Sequence, residues 1–283
     1  MHPLLRWVSR WPLWLLHALG TALGWLAYAL SPSYRARLRA NAALAGLGRA
    51  DRRAAVAEAG KLVMELPRLW LRPADEPITD PVRWEGTAHI EQMLARPQGL
   101  VLLTPHMGSF EVSAQAYAER YGARQPMTVL YRPARKAWLR QLEETARARP
   151  ALATAPATLA GVRQMLRALK RGETVGLLPD QVPPDGMGVW STFFGQRAYT
   201  MTLAARLVRQ TGAAVGVLWT ERLAHGAGYV VRALPLAVPL AADAADDEAD
   251  ALAINRSMEA VIRQRPAQYL WGYHRYKAPR KTA

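Results

Sequence analysis

"LVLLTPHMGSFEVSAQAY", residues 100–117, is an apolar run that breaks at Thr-Pro-His and then opens an amphipathic stretch at Ser109. An unbroken apolar run of this length, bounded by turn residues, reads as a strand covered on both faces. The stretch "TVGLLPDQVPPDG", residues 174–186, repeats the form, with Asp180 and Gln181 following the apolar residues and a Pro/Gly-rich turn behind them. Two buried strands that each end in polar residues, set among helices, argue an α/β domain with a mostly parallel central sheet covered by helices. Such sheets bind their ligands at the carboxyl ends of the strands.

The flanking sequence fits this alternation. "VRWEG" (82–86) and "MTVLY" (127–131) read as strands, and "TAHIEQMLAR" (87–96), "RKAWLRQLEETARAR" (135–149) and "LAGVRQMLRALKRG" (159–172) as helices, the last stopped by Gly172. Thr200 is placed to cap a helix over "MTLAARLVRQTG" (201–212), and "AAVGVLWTERL" (213–223) can pair with "GYVVRALPLAV" (228–238) as a hairpin. The acidic run from Asp243 to Asp250 reads as a solvated linker that also favours the N-terminus of the following helix.

Nearer the N-terminus, Trp11 to Tyr34 contains no Asp, Glu, Lys or Arg. That length suffices for a bilayer, which takes about 20 residues. Trp7, Trp11, Trp14 and Trp25 stand toward its ends, and arginines flank it on both sides. The segment is too long for a cleaved signal peptide, so it reads as an N-terminal membrane-anchor helix, with a buried apolar helix as the alternative. Behind it, "YRARLRANAALAGLG" (34–48) and "DRRAAVAEAGKLVMELPRLWLR" (51–72) read as amphipathic helices, with Asp51 as N-cap and Pro67 as a kink or break. The expected organisation is an anchor with basic flank over residues 1–34 and a globular domain over 35–283, of which 35–80 is helical and membrane-proximal.

The 283 residues are 51% hydrophobic and contain no cysteine, which excludes disulfides, thiolate nucleophiles and cysteine-based metal sites. A formal net charge of +15 suits an anionic partner: nucleic acid, an anionic membrane surface, an acidic protein or a phosphorylated substrate.

His106 and Glu111 carry the strongest chemical signal. On one continuous helix they would lie about 140° apart and not meet. If His106 precedes the helix, Ser109 is a natural N-cap, Gly108 permits close backbone approach, and Glu111 in the first turn reaches back to one imidazole nitrogen. The free nitrogen then serves as a general base, with the carboxylate as its orienter. A lone histidine at a strand end can equally be a structural hydrogen-bonder. No H-x-x-x-H spacing, G-x-S-x-G elbow, Walker loop or G-x-G-x-x-G is present, so metal, serine-hydrolase and nucleotide readings have no support.

"HMGSFE" (106–111) resembles the H-x-x-x-x-[DE] motif of the lysophospholipid acyltransferase superfamily, in its branch of late acyltransferases of bacterial lipid A biosynthesis. Further segments follow in that family's order: "YRPARKAWL" (131–139), "GVRQMLRALKRGETVGLLPDQ" (161–181), "FFGQRAYT" (193–200) and "PAQYLWGYHRYK" (266–277). "RLRANAALAG" (37–46) is similar to the family's basic N-terminal helix. Phe110, Ser109 and Lys136 depart from residues frequent in the family and leave the His106/Glu111 dyad intact.

The resemblance implies a glycerol-3-phosphate-acyltransferase-like domain and transfer of a fatty acyl chain from an acyl thioester to a hydroxyl of a lipid A precursor. The donor would be acyl carrier protein or coenzyme A, with no further cofactor and no metal. His106 and Glu111 would be catalytic. Arg132, or backbone N–H groups near Gly108, would meet the oxyanion or a phosphate. Asp180 and Gln181 would position the acceptor or Arg132, and Phe193, Phe194 and Gly195 would line the substrate groove. Arg147 and Arg149 would touch phosphates or the carrier protein, and Arg275 and Lys277 anionic headgroups. The implied partners are acidic acyl carrier protein, an anionic membrane surface and a phosphorylated glycolipid, at the cytoplasmic side of a bacterial inner membrane. Other acceptors (a phosphatidylinositol mannoside, an aminolipid or a lysophospholipid), a hydrolase and a non-catalytic basic membrane-binding protein are the competing readings. Nucleic acid is disfavoured, because no recognised binding motif accompanies the charge.

Overall fold

The structure, a computed structural model, describes residues 3–133, 136, 140, 143, 149–241 and 246–280. A seven-stranded sheet runs in the order β1-β9-β8-β2-β5-β3-β4. Its members are β1 (Val82–Glu85), β2 (Leu100–Leu103), β3 (Met127–Tyr131), β4 (Leu152–Pro156), β5 (Thr174–Leu177), β8 (Ala214–Arg222) and β9 (Tyr229–Pro235). β6 (Gly188–Phe193) and β7 (Gln196–Met201) form a separate antiparallel hairpin. Every neighbouring pair in the large sheet is parallel except β8 and β9, which pair as the expected hairpin.

The central strands explain their own sequence. Val101 and Leu103 point into one core with Val175, Leu177, Val217 and Trp219, and Leu100 and Leu102 into another with Met127 and Leu218. Alternation sends successive side chains to opposite faces, so a strand covered on both must be apolar throughout. Helices α5 (Thr87–Leu94) and α6 (Phe110–Tyr121) cover the second face through Ile90 and Val112. The first face is covered by α7 (Leu159–Lys170), α8 (Leu203–Thr211) and α9 (Asp247–Ile262) through Met165, Ala204 and Ile254. Each fully buried leucine stabilises the sheet by about 1.5–3 kcal/mol relative to an exposed one.

The N-terminal apolar stretch is one long helix, α2 (Leu13–Leu30), preceded by the short α1 (Pro3–Ser9). It stops short of Tyr34, because Pro32 has no N–H to extend it and instead opens α3 (Pro32–Leu44), with the Ser31 hydroxyl accepting the Tyr34 N–H. Leu13, Leu16, His17, Gly20 and Gly24 make a buried stripe against α4 (Arg49–Trp70), while Trp14, Leu19, Leu23, Leu26 and Leu30 are exposed. Contact between α2 and α4 is backbone to backbone. A Cβ on Gly60 would stand 1.9 Å from the Gly20 carbonyl oxygen, so the crossing requires glycine on both helices.

Some local expectations need correction. Asp51 lies in the first turn of α4, whose N-cap is Gly48, and Pro67 sits inside that helix, which continues to Trp70. Thr200 belongs to β7 and Thr202 takes the N-cap position of α8. The acidic run is not simply solvated: Asp246 caps α9, Asp247 pairs with Arg206 and Arg209, and Asp250 is buried against Arg209. The helix read over 135–149 falls almost wholly outside the described residues.

Candidate active site

β2, β5 and β3 are hydrogen-bonded neighbours running the same way, so their carboxyl ends lie side by side. The segments leaving them carry His106, Asp180 and Arg132. Thr104 N–H still bonds the Leu177 carbonyl at 2.9 Å, extending the ladder one step before Pro105 turns the chain. His106 then meets Asp180. Its backbone N–H donates to Oδ2 at 2.9 Å, and its Nδ1 lies 2.7 Å from Oδ1.

Asp180 is buried, with 1% of its side chain exposed against 19% for His106. Burial pushes its carboxyl up, but the His106 ring and backbone N–H outweigh this and hold it below the usual carboxylate range. An ionised carboxylate only accepts, so Nδ1 carries a proton, and in the neutral ring Nε2 is the nitrogen that holds the lone pair. Tyr269 stands beside this pair. Burial, then the Asp180 carboxylate, raise its hydroxyl well above the ordinary value, so it stays protonated.

The loop after His106 is pinned on every side. Gly108 has φ +57°, and a Cβ there would meet the Thr220 carbonyl oxygen at 1.9 Å. Gly108 N–H donates to the Gln268 carbonyl at 2.9 Å, Ser109 N–H to the Thr220 carbonyl at 3.0 Å, and Leu270 N–H to the His106 carbonyl at 3.1 Å. Arg222, at the end of β8, donates from one Nη to the Gly108 carbonyl at 2.9 Å. The same guanidinium binds Glu65 of α4 at 2.6 and 2.9 Å and Glu58 at 2.8 Å, and His17 of α2 lies 3.4 Å from Glu65. Burial raises the Glu65 carboxyl, but Arg222, with His17 and Ser109, more than offsets it and brings it down to about 2.

The site therefore differs from the expected one in its orienter. The carboxylate on Nδ1 is Asp180, where the sequence points to Glu111; Glu111 is buried in the first turn of α6. β2 and β5 adjacency delivers Asp180 to the Nδ1 edge of the ring. Ser109 occupies the N-cap position of α6, but its side chain makes no capping bond. The backbone N–H groups of residues 106–109 are all bound within the protein, which removes them as oxyanion donors. Arg132 is exposed just beyond β3, and Gln181 is half-buried beside Asp180.

Elsewhere, Phe193 and Phe194 belong to the core, Phe193 against Tyr269 and Phe194 against Trp271. Gly195 serves the exposed β6–β7 turn with φ +76°, and open space surrounds it rather than a close backbone approach. Arg275 is 2% exposed and donates to the Tyr199 carbonyl and the Thr200 hydroxyl, so it is structural rather than a headgroup contact. Arg149 clamps the carbonyl of Leu69 in the last turn of α4 and that of Arg72 just beyond it, and Arg147 lies outside the described residues. Sequence reasoning missed Arg222 and Glu65, whose only signal is a charged residue inside the apolar runs "VLWTERL" and "KLVMELPRLW". No group of three His, Asp or Glu able to hold a metal occurs among the described residues.

An imidazole held at Nδ1 by a buried carboxylate, with no partner on Nε2 among the described residues, is suited to taking up a proton. The family profile described as bacterial lipid A biosynthesis acyltransferase matches residues 3–278. The lipid A biosynthesis lauroyltransferase of Escherichia coli (strain K12) is 29% identical over 223 residues, 77% of this chain and 69% of that protein. The palmitoleoyltransferase of the same organism is 26% identical over 77% of this chain and 68% of its own length. The lipid A biosynthesis acyltransferase of Shigella flexneri shows the same values. The chain belongs to the bacterial lipid A biosynthesis acyltransferase family, and its activity is acyl transfer onto lipid A.

Proposed function

We propose that the protein moves a fatty acyl chain from the thioester of acyl carrier protein to a hydroxyl of a lipid A precursor, with His106 Nε2 as general base. The observation that carries this reading is the double hydrogen bond from His106 to Asp180. Nε2 removes the proton of the acceptor hydroxyl as its oxygen attacks the thioester carbonyl. Asp180 stabilises the imidazolium that results. The tetrahedral oxyanion then collapses, the carbon–sulfur bond breaks, and the departing thiolate takes the proton back from His106. No acyl-enzyme intervenes, in keeping with a chain that has no cysteine. Arg132, exposed beyond β3, supplies positive charge for the oxyanion or an acceptor phosphate. Glu111, at the N-terminus of α6 where the helix dipole favours a carboxylate, adds negative charge that supports the imidazolium.

The exposed apolar face of α2 supports attachment to the inner membrane, and in this reading the sheet lies on the cytoplasmic side, where acidic carrier protein is available. The excess of basic residues, +15 overall, suits that donor and a phosphorylated acceptor in an anionic leaflet.

The test is to incubate detergent-solubilised protein with acyl-acyl carrier protein and a lipid A precursor and to follow the lipid by mass spectrometry. A gain of one acyl chain, absent in folded His106→Ala, supports the reading. Release of free fatty acid without transfer would make the enzyme a hydrolase, and transfer undiminished in His106→Ala would remove the base.

A further inference from the structure

Where α2, α3 and α4 meet, an open groove of about 400 Å³ is lined by Arg39, Arg49, Arg52, Arg53, Trp25 and Tyr28. Several arginines elsewhere pair with carboxylates: Arg68 with Asp80, Arg209 with Asp247, Arg222 with Glu65, Arg232 with Glu221. The four at the groove do not. Among the described residues none of them has a carboxylate within ion-pair distance, and the neighbouring Asp51 does not line the groove. Residues 1–50 contain neither Asp nor Glu, so the local sequence offers no internal counter-charge.

Two of the arginines are nonetheless held in place. Arg39 donates from Nε to the Tyr28 hydroxyl at 2.7 Å and lies 5.7 Å from the centre of that ring, and Arg53 lies 6.0 Å from the Trp25 ring. Stacking on aromatic faces fixes a guanidinium while leaving most of its N–H groups unspent. Four like charges gathered around one groove repel each other unless an anion occupies it.

We infer that this groove binds the phosphate headgroup of an anionic glycerophospholipid drawn from the bilayer that receives α2. Two observations choose a lipid over a free ion. The groove's volume lies in the range of small-molecule sites, well above what a bare phosphate fills. It also sits at the end of α2, whose exposed face carries Trp14, Leu19, Leu23, Leu26 and Leu30, and Trp25 belongs to both surfaces. Tryptophan and arginine at the end of an apolar helix mark the headgroup layer. The inference rests on membrane attachment through α2 and is independent of the acyl-transfer chemistry.

The full chain is reconstituted into vesicles of equal phosphatidylcholine and phosphatidylglycerol and re-extracted in mild detergent, and the retained lipid is quantified by mass spectrometry. The wild-type protein should retain phosphatidylglycerol over phosphatidylcholine by about tenfold. Arg49→Gln/Arg52→Gln/Arg53→Gln should return the ratio to that of the vesicle, while Arg163→Gln/Arg167→Gln, on the exposed face of α7, should leave it enriched. Tyr28→Phe keeps every charge but frees Arg39, and a several-fold drop in enrichment with it would separate a built site from bulk charge. Equal retention of both lipids by the wild type, or equal loss in the two arginine variants, would overturn the groove. Stripping by inorganic phosphate would reassign it to a free anion, and displacement of phosphatidylglycerol by added lipid A precursor would make it an acceptor subsite. Retention of no lipid at all would overturn the attachment on which it rests.

Discussion

Asp180 holds His106 at two points, with Oδ1 2.7 Å from the ring Nδ1 and Oδ2 2.9 Å from the backbone nitrogen. One carboxylate thus sets both the tautomer of the ring and the path of the chain that carries it. The orientation of the ring and the path of the loop are therefore one feature.

Arg222 and Glu65 form a fully buried ion pair that also grips the loop after His106 through the Gly108 carbonyl. Removing one partner leaves an uncompensated buried charge, so Arg222→Gln or Glu65→Gln should cost about 3–5 kcal/mol of stability, read as a fall in melting temperature. The paired variant Arg222→Met/Glu65→Met should recover much of that loss, because no orphaned charge remains.

Acid should reveal the same pair. Glu65 is held at about 2 against an ordinary 4.5, so its contribution, on the order of 3 kcal/mol, is fully present above pH 4.5 and lost as pH falls toward 2. Replacing Glu65 with Gln should flatten that part of the stability curve in a pH series of unfolding measurements.

Gly108→Ala tests how tightly the loop is specified. The added methyl meets the Thr220 carbonyl oxygen, and φ +57° is strained for alanine. The loop must move and carry His106 with it, so the acyl-transfer rate should drop by about a hundredfold, a size typical of a misplaced catalytic group. Gly46, also at positive φ but with no atom near its Cβ direction, is the control: Gly46→Ala should leave the rate within a few-fold.

Gly60→Leu tests the seat of α2 on α4. Its side chain has no room against Gly20 and Gly24, so α2 should lift from α4, exposing His17 and Glu65. Limited proteolysis in detergent should then cut between α2 and α4 under conditions that leave the wild type intact.

Donor recognition makes a kinetic prediction. If the positive surface steers acidic carrier protein, kcat/KM for the carrier-protein donor should fall about tenfold from low to physiological salt. With acyl-coenzyme A the fall should be smaller, and equal slopes for the two donors would remove the steering argument.

The sheet was legible where packing leaves a plain trace. "LVLL" and "TVGL" are apolar because both faces of β2 and β5 are covered, and each ends in the polar residues that form the site. β4 and the β6–β7 hairpin left weaker traces. "LATAP" is short and half-exposed, and "GVWSTF" mixes a buried Phe193 with an exposed Trp190. His106 and Asp180 were each visible as strand-end residues, but their contact was not: it depends on β2 lying beside β5, a pairing across 74 positions that no local pattern encodes. Glu111 was favoured as orienter because it is near in sequence, and spatial adjacency of the strands overrides that nearness. Arg222, Glu65 and His17 met the same limit, since three distant chain segments supply one network.

The most direct measurement is the steady-state acyl-transfer rate of Asp180→Asn beside the wild type, with melting temperatures recorded for both. Asparagine is nearly isosteric and can still accept the backbone N–H of His106, but it no longer offers a carboxylate to Nδ1–H or to the imidazolium. If Asp180 orients the base, kcat should fall by about a hundredfold or more with KM and fold retained. A folded Asp180→Asn enzyme that keeps its kcat within a few-fold would show that the carboxylate does not orient the base.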